Sequence, residues 1–190
     1  MNILIIGDFH IPDREKEIPS EIWQEIKNTI FDLIICTGDL TDPNLLEKLQ
    51  SIAPVKIVNG NMDYYFGLRD LPRSLIIDLD KYKIGLIHGS GIRPRGDPAQ
   101  LSKIAHQMQV PILVSGHTHA FSLNKYNDIL LINPGSATGS WGGGPSTGIP
   151  SFITIAEEKN NLKFLSISLK KGNLISSANL YDIKTGNLSE

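Results

Sequence analysis

Short apolar runs alternate with helix-like segments in the first part of the chain. The runs at residues 3–6, 33–36 and 55–58 are continuous, as expected for strands that are covered on both faces. The resulting β-α-β-α-β order favours a parallel sheet with right-handed crossovers.

Two helices are expected between these strands. The first is predicted over residues 21–29, with Ser20 as its cap and an apolar stripe that extends from Ile22 to Ile30. The second is predicted to start with Asp42 as its cap and Pro43 in its first turn.

The second half of the chain predicts mostly strands. Hairpins are expected at residues 75–87 and 122–132, and a helix is expected from Asp97 to about Gln109, before a strand at 112–114. A loop rich in glycine and proline follows at 133–150, and strands are expected at 152–156, 162–169 and 174–183. With no repeat or linker, residues 1–190 read as a single domain of the α/β class, with two packed mixed β-sheets flanked by helices.

Composition excludes several classes of protein. The chain has 190 residues and a formal net charge of -2, so no global field favours duplex nucleic acid or an anionic membrane. Its single cysteine, Cys36, lies inside an apolar run and is expected to be a buried, inert thiol. Neither a signal peptide nor a membrane span is expected, and these features together favour a soluble cytoplasmic protein.

Side chains that can bind metal follow five of the apolar runs, each beside a glycine. They are Asp8, His10, Asp39, Asn61, His88, His117 and His119. Because the carboxyl ends of parallel strands meet at one edge of a sheet, we expect these side chains to converge. Oxygen and imidazole ligands without a thiolate suit Mn, Fe, Co, Ni or Zn in a reactive site rather than a structural zinc cage. Seven ligands fit two ions with one bridging carboxylate.

Two of these histidines, His117 and His119, are separated by a single residue. In extended backbone such residues point to the same side, so both imidazoles are expected to face one pocket. Taken alone, Asp8, Asp39 or Asn61 could equally be a cap or a turn residue. Their joint occurrence, in order, favours metal binding.

The motifs resemble those of the calcineurin-like metallophosphoesterases. They are Asp8-x-His10, Gly38-Asp39, Gly60-Asn61-x-Asp63, His88-Gly89 and Gly116-His117-x-His119. Further stretches, at residues 7–12, 86–89, 96–97 and 132–139, resemble the small branch of that family, which includes prokaryotic phosphodiesterases and the vacuolar-protein-sorting subunit of retromer. The resemblance covers the chain to about Ile155 and implies the metallophosphoesterase sandwich fold.

The resemblance also implies a role for each ligand. One ion would be held by Asp8, His10 and His119, the other by Asn61, His88 and His117, and Asp39 would bridge them, which assigns Asp39, Asn61 and His117 to catalysis as well. Two divalent ions are implied, with Mn favoured and Ni, Co, Fe, Zn or Mg as alternatives. A hydroxide bridging the ions would then attack phosphorus in line.

One position departs from the family pattern. Many members carry a histidine after Gly-Asn that is thought to protonate the leaving group, and this chain has Met62 there. Since general acid catalysis contributes about 10²–10⁴-fold, we expect slow turnover of poor leaving groups. Activated aryl phosphodiesters should suffer least.

Other polar positions have weaker readings. Asp63 is expected to orient a ligand, residues 133–136 to brace the site, and His106 to lie on the surface. Arg93 and Arg95 could grip a phosphate or lie in a solvated loop. The glycine-rich loop at 139–148 is not a phosphate loop and could be a flexible lid or a connection. Its Trp141 could stack on a base or an aryl group, or pack, and packing is favoured.

The sequence therefore predicts a metal-dependent hydrolase of small phosphodiesters. Two alternatives stay open: a phosphomonoesterase or nucleotidase of the same chemistry, and a non-catalytic protein-binding scaffold of the same fold. The scaffold alternative would have a protein partner, and a homo-oligomer also stays open. The motifs leave the physiological substrate open because they fix the phosphoryl centre and not the leaving group.

Overall fold

The computed structural model describes residues 1–144 and 146–189, so that Pro145 in the glycine-rich loop and Glu190 lie outside the described residues. The described residues form two mixed β-sheets and three α-helices. The strands are β1 (Asn2–Ile6), β2 (Leu33–Cys36), β3 (Val55–Ile57), β4 (Ser74–Asp78), β5 (Lys83–Ile87), β6 (Ile112–Val114), β7 (Ser122–Tyr126), β8 (Ile129–Asn133), β9 (Ser151–Glu158), β10 (Asn161–Lys170), β11 (Asn173–Asp182) and β12 (Leu188–Ser189). The helices are α1 (Ser20–Asn28), α2 (Pro43–Gln50) and α3 (Pro98–Met108).

The larger sheet has seven strands in the order β12-β11-β10-β9-β1-β2-β3. Its β1, β2 and β3 are parallel, as the β-α-β-α-β pattern predicts. The smaller sheet has five strands in the order β4-β5-β6-β8-β7, of which β5, β6 and β8 are parallel. The α/β fold with two mixed sheets is confirmed.

Alternation along the strands sends side chains into two layers. In β1, Ile3 and Ile5 join a core formed by residues of both sheets, including Ile84 and Ile112. Leu4 and Ile6 point the other way and pack with residues of α1 and α2 such as Ile22 and Leu45. Successive side chains of a strand face opposite sides of a sheet, so a continuous apolar run serves both layers.

A third cluster covers the outer face of the smaller sheet. Leu101 and Ala105 of α3 pack there against Leu113, Ile129 and Leu131. The caps predicted for the second and third helices are present: the Asp42 side chain accepts from the Asn44 N–H, and Asp97 accepts from the Gln100 N–H. Helices therefore flank the paired sheets on both outer faces.

The first helix differs from its prediction at both ends. Ser20 is the first helical residue and not the cap, because its hydroxyl donates to the Glu21 carboxylate and caps no backbone N–H. The helix ends at Asn28, and extended backbone at Thr29 carries the chain away from the apolar stripe. Ile30 is consequently 86% exposed rather than buried. The short strand β12 has no counterpart in the sequence prediction.

None of the helices in residues 1–144 and 146–189 is both long and apolar enough to span a membrane.

Candidate metal centre

The predicted ligands come together where the two sheets meet. Asp8 and His10 follow β1, Asp39 follows β2, and Asn61 follows β3 in the larger sheet, whereas His88 follows β5 and both His117 and His119 follow β6 in the smaller sheet. The loops after β1 and β2 continue to pair beyond the strands, because the Phe9 and His10 N–H groups donate to the Asp39 carbonyl. Between the sheets, the His117 N–H donates to the Asp8 carboxylate at 3.0 Å.

The ligand-bearing loops have unusual backbone. Asp8, His10, Asp39, His117 and His119 all have positive φ, between 50° and 68°. The expectation of extended backbone at His117 and His119 is therefore wrong. Left-handed conformations are uncommon outside glycine, and they cluster at functional sites where the surroundings enforce them.

The first group of donors joins Asp8, His10 and His119, all buried. The Nε2 atoms of the two imidazoles are 3.2 Å apart, and the His119 Nε2 is 3.5 Å from an Asp8 oxygen. Nδ1 of His119 lies 2.7 Å from the Ser140 carbonyl oxygen, which can only accept. The proton of His119 is therefore on Nδ1, and its Nε2 faces the group.

A second group joins Asp8, Asp39 and His88. Nδ1 of His88 donates to the Thr37 carbonyl at 2.8 Å, so Nε2 faces the site. This Nε2 lies 3.1 Å from the Asn61 Oδ1 and 3.3 Å from an Asp39 oxygen. An amide oxygen, a carboxylate and an imidazole nitrogen thus converge on one point.

His117 lies at the edge of these groups. Its ring is 5.2 Å from that of His88 between centroids, in an edge-to-face arrangement, but it belongs to neither close group of donors. Burial lowers the pKa of His117 to about 4, helped by the charge of His88. Its imidazole is therefore neutral at ordinary pH, which is the form that binds a metal.

The donor spacing fits transition-metal ions. Bonds of about 2.1 Å to nitrogen or oxygen place neighbouring ligands of one ion about 3.0–3.4 Å apart in octahedral or tetrahedral geometry. The separations of 3.2 to 3.5 Å between the donors of His10, His119, Asp8, Asp39 and His88 agree with this.

Electrostatics of the two groups favour added positive charge. Burial raises the pKa of Asp8 to about 7. Burial alone would lower the pKa of His88, but its hydrogen bond to Asp39 and the carboxylate charges outweigh burial and raise it to about 9. Burial lowers the pKa of His10 to about 3. The carboxylates therefore attract a cation, and neutral His10 offers a lone pair to it.

Asp63 holds the second donor group in place, in agreement with its expected role of orienting a ligand. Its buried carboxylate accepts hydrogen bonds from the backbone N–H groups of Asp39 at 2.7 Å, Gly60 at 2.9 Å and Thr41 at 3.1 Å. Glycine is required at position 60, because a Cβ there would lie 2.0 Å from an Asp39 oxygen. The loops after β2 and β3 are thereby locked together.

The segment after β8 braces the loops from the smaller sheet and from β1. Asn133 donates to the Gly116 carbonyl at 2.9 Å, and the Ser136 hydroxyl donates to the Asp8 carbonyl at 2.7 Å. Ser140 also touches Nδ1 of His119 through its hydroxyl at 3.1 Å. The bracing role expected for residues 133–136 is present, and it extends to Ser140, which no sequence pattern singles out.

The described part of the glycine-rich loop forms a wall of the site. At Gly142 a Cβ would lie 2.7 Å from the His119 ring, so the backbone passes directly against this ligand. Arg14 donates to the Trp141 carbonyl at 2.7 Å, and Arg95 donates to the Gly142 carbonyl. Trp141 itself is 72% exposed, so the expectation that it packs is wrong.

Two remaining residues lie where they were expected. Cys36 is fully buried, and burial raises the pKa of its thiol well above the usual range. His106 is on the surface of α3, paired with Asp128 at 3.1 Å. Neither belongs to the site.

Comparison with known proteins agrees with the family resemblance of the motifs. Residues 1–157 match the model of the calcineurin-like phosphoesterase superfamily domain. Over 138 residues the chain is 41% identical to a probable metallophosphoesterase of Methanothermobacter thermautotrophicus, covering 73% of this chain and 78% of that protein.

Solved structures of Vps29 from Entamoeba histolytica are similar throughout. A single mutant of that protein superposes with a TM-score of 0.89 at 30% identity, covering 96% of this chain and all of the other. The wild-type protein, solved in complex with Zn²⁺, gives a TM-score of 0.84 at 30% identity over 96% of this chain and 99% of the other. The matched domain spans most of the sequence and contains every residue of the two buried donor groups, and the chain therefore belongs to the calcineurin-like phosphoesterase superfamily.

Proposed function

We propose that this protein hydrolyses phosphodiesters with two divalent cations. The observation that carries the proposal is that Asp39, a member of the second donor group, also contacts His10 of the first. One oxygen of its carboxylate lies 3.4 Å from the His10 Nε2 and 3.3 Å from the His88 Nε2. A carboxylate in contact with both groups suits a ligand shared by two ions.

Each side chain has a task in this proposal. Asp8, His10 and His119 would hold one cation, Asn61, His88 and His117 the other, and Asp39 both. When bound, such a pair of ions supplies charge that acidifies a water and neutralises phosphoryl oxygens. We propose Mn²⁺ as the metal, since oxygen and imidazole donors suit it.

The surrounding cations favour a diester over a monoester. A monoester dianion carries one more negative charge than a diester and needs more compensation. Arg14 and Arg95, which lie beside the donor groups, both direct a guanidinium N–H to a backbone carbonyl of the glycine-rich loop. Arg14 also pairs with the Asp13 carboxylate at 3.5 Å, which offsets its positive charge, so a singly charged diester is the better match.

The test compares hydrolysis of bis(4-nitrophenyl) phosphate and 4-nitrophenyl phosphate by metal-stripped protein, with and without Mn²⁺. Restored activity that favours the diester supports the proposal, and its loss in Asp39→Asn ties that activity to the site. Asp78→Asn, at a carboxylate that is 62% exposed, is the matched control. Equal or faster turnover of the monoester would show a phosphomonoesterase instead.

A protein-binding scaffold is the second candidate, and one observation favours it. A groove of about 310 Å³ is lined by Phe121, Ile149 and Ile175, of which Phe121 is 41% and Ile175 is 48% exposed. Vps29 of Chaetomium thermophilum, whose fold is similar to that of this chain, has been solved in complex with a cyclic peptide. If Mn²⁺ binds and no ester is hydrolysed, the scaffold becomes the better account.

A further inference from the structure

A cleft of about 620 Å³ opens directly beside the second donor group. Asn61 and His88 of the site line this cleft together with Tyr64, Arg73, Ser90 and Gln100. A volume of this size accommodates a small organic ligand. Because the cleft borders the donor groups, an ester group of a phosphodiester held there can extend into it.

The charge of the cleft favours an anion. No carboxylate is found among its lining residues, which include Arg73. Within residues 1–144 and 146–189, no carboxylate lies within salt-bridge distance of Arg73. A guanidinium can bind a phosphate group through two hydrogen bonds.

Tyr64 supplies an aromatic surface in the same cleft. Its side chain is 60% exposed although it lies one residue after the buried Asp63. The three backbone hydrogen bonds to the Asp63 carboxylate fix this turn against Asp39 and Gly60. An exposed ring on a firmly held turn suits stacking, which is worth about 1–3 kcal/mol for a nucleobase.

Arg73 is also tied to the ligand loops. It precedes β4, and the carbonyl of its neighbour Pro72 accepts the Asn59 N–H at 2.8 Å. Asn59 in turn donates from its side chain to the Leu68 carbonyl at 2.9 Å. The segment that carries Arg73 is therefore attached to the same turn that carries Asn61.

We propose that this cleft binds a nucleotide-like substituent of the substrate, with an aromatic base at Tyr64 and a second phosphate at Arg73. The inference rests on the proposed phosphodiesterase function and narrows it to diesters in which one ester group is a phosphorylated nucleoside. Water cleaves the phosphoryl ester bond, and the alcohol leaves with the proton. Tyr64 and Arg73 act only by binding.

Three diesters with the same 4-nitrophenolate leaving group test the proposal. They are methyl 4-nitrophenyl phosphate, thymidine 5′-(4-nitrophenyl phosphate) and its 3′-phosphorylated form. With Mn²⁺, kcat/KM of the wild-type protein should rise about tenfold on adding the nucleoside and again about tenfold on adding the 3′-phosphate. Tyr64→Ala should abolish the first ratio and Arg73→Gln the second, whereas Tyr64→Phe should keep the first.

A neighbouring residue provides a matched control. Arg69 is exposed, carries the same side chain as Arg73 and does not line the cleft. Arg69→Gln should leave both substrate ratios unchanged. The proposal is overturned if the wild-type protein does not distinguish the three esters, or if Arg73→Gln and Arg69→Gln change the ratios alike.

A binding measurement separates this proposal from the proposed function. Calorimetry with thymidine 3′,5′-bisphosphate and the Mn²⁺-loaded protein needs no turnover. Binding that weakens about tenfold in Tyr64→Ala and in Arg73→Gln, but not in Arg69→Gln, supports the cleft even if no ester is hydrolysed. Absent binding, or equal binding in these three variants and the wild-type protein, rejects the cleft even if bis(4-nitrophenyl) phosphate is hydrolysed.

Discussion

The Asp63 carboxylate accepts the backbone N–H of Asp39 at 2.7 Å, and this contact joins the turn after β3 to a carboxylate of the second donor group. Asp63 therefore holds the Asp39 backbone and not its carboxylate. The Asp39 Oδ1 accepts the Met62 N–H at 2.8 Å, and Oδ2 faces His10 and His88.

Asp63→Asn should weaken both metal binding and stability. An amide has one acceptor oxygen, so its nitrogen must face one of the three N–H groups that now meet the carboxylate. A buried N–H left without a partner costs about 1–3 kcal/mol, and loss of a group that orients a ligand costs about 10–100-fold in metal affinity. Urea denaturation and Mn²⁺ calorimetry measure the two effects, with exposed Asp70→Asn as the control. Unchanged affinity would mean that Asp39 needs no such support.

Gly142→Ala should disturb the first donor group. The added Cβ would lie 2.7 Å from the His119 ring, so either the loop or the imidazole must move. We expect about tenfold weaker Mn²⁺ binding, because the ring is also held by Ser140 on the same loop. Gly144→Ala is the matched control, since its Cβ would meet only the Arg95 side chain at 3.7 Å. Similar affinities in the two variants would argue against the loop as a wall of the site.

Metal removal should lower the melting temperature. The buried carboxylates of Asp8 and Asp39 attract a cation, and an ion that binds only the folded chain stabilises it. At 100 times the dissociation constant of one site the gain is about 2.7 kcal/mol, which corresponds to roughly 5–10 °C for a domain of this size. Calorimetric scans of stripped protein with and without Mn²⁺ measure the shift. In Asp39→Asn the shift should shrink, and a full shift there would place the bound ion elsewhere.

The strands and the set of convergent ligands could be predicted because their signals are local. Each apolar run ends at a glycine-bearing turn with a polar side chain, and parallel pairing brings those ends together. The pairing of two sheets followed from the strand-rich second half. The distances among the donors, in contrast, depend on the backbone conformation of the loops, which the residue pattern does not predict.

The left-handed backbone at the ligands is the clearest example. Asp8 and His10 are not glycine, yet they adopt positive φ where their backbone N–H groups donate to carbonyls of the loop after β2. The contacts of Arg14 and Arg95 were also missed. The acceptors of these contacts are backbone carbonyls, and every residue has one, so the sequence does not show which carbonyl is used.

Met62→His should restore a proton donor next to Asp39, whose carboxylate already accepts the Met62 N–H. General acid catalysis assists a leaving group in proportion to its basicity, so methyl phenyl phosphate should gain up to about 10²-fold and methyl 4-nitrophenyl phosphate little. Met62→Gln, similar in size and unable to transfer a proton, should leave the ratio of the two rates unchanged. Because the prediction concerns this ratio, a general change in metal affinity would not imitate it. If the histidine variant accelerates both esters equally, the missing acid is not what limits this enzyme, and leaving-group departure is assisted from elsewhere in the site.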